Sequence, residues 1–167
     1  MRVLRVLLGT IAIALTIAGC GGSDSKQTPA PATSSVSSAK QAVAFGTAVD
    51  IDANGGKATY TVDNLSPVPR DAQVVPAKGA MFAVDVTIVA KTGTVAYNGF
   101  WFVAKATDGS NIAPAVGAVQ PGITSGQLSQ GQKVAAHIAF DVPQGKTING
   151  IMLRDAKGRL LAAWANG

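Results

Sequence analysis

The residues with most chemical promise lie in Asp50-Ile51-Asp52-Ala53-Asn54-Gly55-Gly56. Asp50, Asp52, Asn54 and Gly55 match the opening of an EF-hand loop, where alternate oxygen ligands hold Ca²⁺ and a glycine allows the sharp turn. That loop closes on a bidentate Glu, and the corresponding residue here is Thr61, which cannot chelate with two oxygens. The same seven residues also read as a strand running into an Asn-Gly hairpin. The hairpin accounts for every residue, with Asp50 and Asp52 on a solvated face. A calcium-holding turn made of Asp50, Asp52 and Asn54, helped by Asp63 across the hairpin, is the weaker alternative on ligand type.

Other reactive types are sparse. His137 is the only histidine. It falls on a strand face with Ala135, Ala139 and Asp141, as a locally hydrogen-bonded ring would. A nucleophilic triad needs a hydroxyl or thiol and an acid around it, and no nucleophile motif is present. Asp85 and Asp141 are the only acids in mid-strand positions, where a solvated face explains them without paired-carboxylate chemistry. Met81 and Met152 with one histidine make a poor copper set. No phosphate-cradling glycine loop and no dinucleotide fingerprint occur. No catalytic residue, metal or cofactor is therefore assigned. Trp101 is the one side chain singled out as a binding anchor, should its face be exposed.

Cys20 has a clear chemical role. Arg2 and Arg5 precede an uncharged apolar run, Val6–Ala18, which has the length of a signal-peptide core and falls short of the ~20 residues of a membrane span. The run ends in Ile17-Ala18-Gly19-Cys20, an aliphatic residue and two small residues before a cysteine, as in the bacterial lipobox. Small residues there let a peptidase admit extended backbone beside a lipidated thiol. Residues 1–19 are thus read as a lipoprotein signal peptide. Cys20 is read as the lipidation site, carrying two or three acyl chains as lipoproteins do. Each buried CH₂ contributes about 0.8 kcal/mol, so such chains anchor firmly. Cys20 is also the only cysteine, which excludes an intramolecular disulfide.

Residues 20–42 are mostly Gly, Ser, Thr, Pro and Ala with a single Val, too little apolar surface to offset the entropy of ordering. They read as a disordered tether with a reach of about 25 Å by coil scaling. The formal net charge is +5. Its cations are scattered rather than clustered, which argues against a nucleic-acid partner.

From residue 43 to 167 the apolar residues recur every second position. Val43, Phe45, Val49 and Ile51 share one face and Ala44, Gly46, Ala48, Asp50 and Asp52 the other; the same period places Ala58, Tyr60 and Val62, then Phe82, Val84, Val86 and Ile88, then Val134, Ala136, Ile138, Phe140 and Val142 each on one face. Lys91-Thr92-Gly93-Thr94 reads as a turn after a strand over 80–90. Phe100 and Phe102 are expected to share one face, with Trp101 on the other. The acids are all Asp, Glu is absent, and Gly numbers 19, a composition that disfavours long helices. The expected fold is all-β: an immunoglobulin-like antiparallel β-sandwich of about seven or eight strands.

Phe102-Val-Ala-Lys-Ala-Thr-Asp-Gly109, Gly126-Gln-Leu-Ser-Gln-Gly-Gln132, Ala139-Phe-Asp-Val-Pro143, Asp155-Ala-Lys-Gly158 and Leu161-Ala-Ala-Trp164 form a further pattern. It is similar to the secreted mycobacterial immunogenic-protein family and the related telokin-like extracellular domains of Gram-positive bacteria. The resemblance covers about residues 43–167. It implies an exported immunoglobulin-like sandwich and carries over no catalytic residue; lipidation would depart from the freely secreted members. The combined expectation is a non-enzymatic lipoprotein on the outer face of the bacterial cell membrane. Its lipid partner is reached through Cys20, and its domain binds a protein or another envelope component. The alternative is a carrier holding a small apolar ligand between the sheets.

Overall fold

The computed structural model of the chain describes residues 41–166. The signal peptide, Cys20 and nearly all of the tether lie outside the described residues. Ten strands follow, named in chain order: β1 (Val43–Ala44), β2 (Ala48–Ala53), β3 (Gly56–Pro67), β4 (Ala80–Asn98), β5 (Phe102–Ala106), β6 (Asn111–Ile112), β7 (Ser125–Ser129), β8 (Lys133–Val142), β9 (Ile148–Arg154) and β10 (Leu160–Ala165). Short 3₁₀ turns at Arg70–Ala72 and Gly99–Trp101 are the only helical segments among the described residues.

Two sheets pack face to face. One has the order β1-β10-β9-β5-β6; the other runs β2-β3-β4, with β7 and β8 both paired to β4. All pairs are antiparallel except β1 with β10, which is parallel and departs from the wholly antiparallel expectation. The interior is built by the two-residue rhythm. Tyr60, Val62, Val84, Val86, Ile138 and Phe140 from one sheet meet Phe102, Ala104, Ile151, Leu153 and Trp164 from the other, all buried. Burying each large apolar side chain contributes roughly 1.5–3 kcal/mol, so this seam is the main source of stability. Trp164 is fully buried, and its indole N–H donates to the Thr47 carbonyl at 2.8 Å. A ligand held between the sheets would have to displace these side chains, so the carrier alternative meets an occupied interior.

Two expectations about local structure are corrected. Lys91–Thr94 does not reverse the chain. β4 continues for 19 residues and bends at Gly93, which has φ +69°. Its first part pairs with β8 over residues 80–89, and its second part pairs with β7 over 94–98. The glycine is required because Gly93 lies against the Asn54-Gly55 hairpin: a Cβ there would sit 2.7 Å from the Gly55 carbonyl. The bend carries Val95 and Leu128 into the common core. Second, Phe100 and Phe102 do not share a face. The 3₁₀ turn over Gly99–Trp101 rotates Phe100 outward, 65% exposed, while Phe102 is fully buried.

The loops after β3 and β6 fold over the outer face of β4 and β8. Val68 and Ala77 from the first, and Ala115, Ala118 and Val119 from the second, cover Met81 and Ala139 in a small second core. Asp141 fastens the first loop by accepting from the backbone N–H groups of Lys78 and Gly79, both at 2.8 Å.

Candidate functional site

The outer face of the β3-β4-β8 sheet holds the only titratable cluster with a histidine. The register places Asp85 of β4 between Asp63 of β3 and His137 of β8. His137 Nδ1 lies 2.7 Å from Asp85 Oδ1. Asn64 Nδ2 donates to Asp85 Oδ2 at 3.1 Å. Both carboxylate oxygens are therefore engaged, which fixes the ring and the carboxylate relative to each other.

Asn64 reaches Asp85 because the regular pairing of β3 and β4 shifts between Asp63 and Ser66. Asn64 adopts φ +52°, a conformation asparagine tolerates better than most residues. Its own N–H donates to Asp63 Oδ1 at 2.8 Å, which steadies the bulge. The far side of His137 is held by backbone: its N–H donates to the Pro121 carbonyl, and its carbonyl accepts from Ile123 N–H, both at 2.9 Å.

These groups floor a surface cleft of about 260 Å³. Ser66, Val68, Pro69 and Ala72 line one side, and Val119 and Gln120 the other. Exposure is intermediate, 38% for the His137 side chain and 47% for Asp85. Ser66 is the one hydroxyl in the lining, and it makes no hydrogen bond with His137. The trio is thus arranged to present fixed donors and acceptors between apolar walls, an arrangement suited to recognition.

The Asp50–Gly56 segment forms the hairpin. Asn54 and Gly55 both take positive φ, 58° and 99°, as a two-residue turn of this kind demands. Asp50 accepts from the Thr59 hydroxyl opposite it, and Asp52 pairs with Lys57 at 3.8 Å. Asp63 lies four residues beyond Thr59 on β3, roughly 13 Å at the rise of a strand, so it does not join them. Among the described residues no three His, Cys or carboxylate groups converge as a metal site. The Asn54 side chain instead turns inward. Its Nδ2 and the Tyr60 hydroxyl are buried without a partner at good hydrogen-bonding geometry. Burial raises the Tyr60 phenol above its usual pKa, and the nearby Asn54 amide opposes the shift.

Trp101 is half-buried and packs on the core, so the exposed aromatic of this region is its neighbour Phe100. Met81 is buried in the outer-face core, whereas Met152 belongs to the other sheet. Two carboxylates stand out electrostatically. Asp108 accepts from the Ser110 hydroxyl and N–H and pairs with Lys146 at 3.1 Å, which lowers its pKa to about 2. Asp155 accepts from the backbone N–H groups of Arg159 and Lys157 and from the Arg159 guanidinium. These bonds, Arg159 N–H foremost, hold its pKa below the usual value against the cost of burial. Both carboxylates organise turns.

Sequence reasoning missed Asn64 and the meeting of Asp85 with His137. The partners are 21 and 52 residues apart, and only the strand register joins them. The one available sign was the Asp63-Asn64 pair interrupting the apolar alternation of β3.

The family described as "Domain of unknown function (DUF1942)" matches residues 40–164. Among solved structures the chain is similar to the secreted protein MPT63 from Mycobacterium tuberculosis. The two share 20% identity, covering 77% of this chain and 99% of that one, with a TM-score of 0.67. It is also similar to the yjhA protein from Bacillus subtilis, at 12% identity over 75% of this chain and 99% of that one, with a TM-score of 0.54. At these identities the likeness concerns the fold, and it agrees with the resemblance read from the strand motifs. No curated protein sequence matches.

Proposed function

The chain belongs to the DUF1942 family, and from that premise we propose that it is an exported, membrane-anchored binding module without catalytic activity. Export is supported by the apolar leader and by the secreted character of the M. tuberculosis protein with the same fold. Anchoring is supported by Ile17-Ala18-Gly19-Cys20, with Cys20 carrying the lipid. The domain then stands off the outer face of the cell membrane on residues 20–42.

The observation that carries the binding role is the Asn64–Asp85–His137 cleft. Asp85 is bonded by both neighbours, and no hydroxyl of the cleft is hydrogen-bonded to the imidazole, so the groups display polarity rather than activate a nucleophile. A volume of about 260 Å³ suits one or two side chains of a protein, or a short polar segment of another envelope component.

The test is a photo-reactive residue in place of Gln120, irradiated in intact cells. A discrete adduct, lost when Asp85→Ala is added to a folded protein, supports the reading. An adduct pattern no different from that of a probe at Gln144, on the distant loop after β8, contradicts it.

A further inference from the structure

The described domain carries its charge unevenly. Lys57, Lys91, Lys133, Arg154, Lys157 and Arg159 lie at the end of the sandwich that holds the Asn54-Gly55 hairpin and the β9-β10 turn. The placement follows from the pairing. Lys57 faces Thr92 beside the hairpin, Lys133 faces Val89 just below Lys91, and Asn54 shares a surface cleft with Lys157 and Arg159. Three acids share this end, Asp50, Asp52 and Asp155, so six cations leave it at +3. The remaining four Lys and Arg of residues 41–166 face five Asp, which leaves the rest of the domain at −1. Five of the six cations are exposed; Arg154 is half-buried.

The same end exposes apolar side chains. Leu160, at the start of β10, is 37% exposed. Phe100, 65% exposed, lies just ahead of Phe102, which pairs with Leu153 near the end of β9.

β1 pairs with the end of β10 that lies away from Leu160. Val43 faces Trp164 and Ala44 faces Ala165 in a parallel pair. Because the pair is parallel, Gln41 and Ala42 lie on the Leu160 side of Val43. Both are exposed. A tether that reaches the domain from this direction, with a reach of about 25 Å, allows this end to meet the bilayer.

We propose that the basic end around Lys57, Lys91, Lys133 and Lys157 docks on anionic phospholipid headgroups, with Leu160 and Phe100 entering the interface. The inference rests on the anchored reading of Cys20. It adds a defined orientation: the Asn64–Asp85–His137 cleft, on the outer sheet face away from this end, stays open to the aqueous side. A net charge of three, each worth roughly a factor of five at an anionic surface, suffices to orient a domain already held by lipid.

The full chain, made in a bacterium that processes lipoproteins, is placed in nanodiscs of phosphatidylcholine alone or with one third phosphatidylglycerol. Its lysines are modified by a water-soluble amine reagent and read by mass spectrometry. The expected result is about fivefold slower modification of Lys57, Lys91, Lys133 and Lys157 on the anionic discs, with Lys78 unchanged and the protection erased by high salt. Lys91→Glu with Lys157→Glu, both exposed and so compatible with an unchanged melting curve, abolishes the protection. Equal modification on both discs, or protection centred on Lys78, overturns the proposal. A chain that enters neither disc overturns the anchor reading alone. In that case flotation at low salt with phosphatidylglycerol vesicles but not phosphatidylcholine vesicles upholds docking, and no flotation overturns it.

Discussion

Gly93 and Gly109 provide a matched test of how the sandwich is held. Both have positive φ, +69° and +82°, where an L side chain costs roughly 1–2 kcal/mol. They differ in surroundings. A Cβ at Gly109 meets nothing within 4 Å, whereas at Gly93 it falls 2.7 Å from the Gly55 carbonyl and 3.2 Å from the Gly56 Cα. Those atoms belong to the hairpin turn and cannot withdraw without disturbing the pairing of Asp52 with Lys57. Gly109→Ala should therefore cost only the conformational term of about 1–2 kcal/mol. Gly93→Ala adds an overpacking term of about 1–3 kcal/mol. At roughly 4 °C per kcal/mol for a domain of this size, the melting temperature falls about 4–8 °C for Gly109→Ala and about 8–20 °C for Gly93→Ala. Differential scanning calorimetry of the two variants and the parent measures this directly. Equal losses would refute the close approach of the β4 bend to the hairpin, and with it the passage of β4 from one partner strand to another.

Trp164→Phe removes ring volume and leaves the Thr47 carbonyl without its indole partner; a loss of about 2–4 kcal/mol is expected, seen as a lower urea midpoint with an unchanged slope. Asp108 has a folded-state pKa of about 2 against an ordinary value of 3.8, so its contribution to stability is present above pH 3.8 and is lost as pH falls toward 2. Asp108→Asn should accordingly flatten that part of a melting-temperature profile taken from pH 5 downward and leave its remainder in shape. Asp141→Ala removes the two side-chain bonds to the Lys78 and Gly79 N–H groups and leaves Val74 N–H on the Ala118 carbonyl, so limited proteolysis should nick the 68–79 loop several times faster while global stability falls by about 1–3 kcal/mol.

Much of the fold is legible in the chain because its strands are short, alternate strictly, and end at residues with a physical reason to turn. β9 and β10 run between Gly145, Gly158 and the chain end, and both glycines take positive φ. The Asn54-Gly55 turn is equally plain, since few other residues accept two successive positive φ values at no cost. Gly93 misled for the same reason: a positive-φ glycine marks a bend as readily as a reversal, and only the pairing of β4 with both β7 and β8 separates the two. Phe100 broke the alternation through a single 3₁₀ turn, capped when Asn98 accepts from the Phe100 N–H at 2.9 Å. The cleft was illegible for a different reason. Asn64, Asp85 and His137 sit on three strands, and their union is a property of register. The outer-face core hid likewise, because Met81 and Ala139 occupy positions that alternation assigns to solvent until the loops cover them.

The anchoring and display of the domain stand on one covalent event. Mass spectrometry of the protein purified from the membranes of a bacterium that processes lipoproteins reads it without ambiguity. The mature chain is expected to begin at Cys20 and to carry thioether-linked diacylglycerol, and a Cys20→Ser protein to keep its leader and lose the lipid. A mature chain that starts elsewhere, or a Cys20 peptide with the mass of a free thiol, contradicts that expectation.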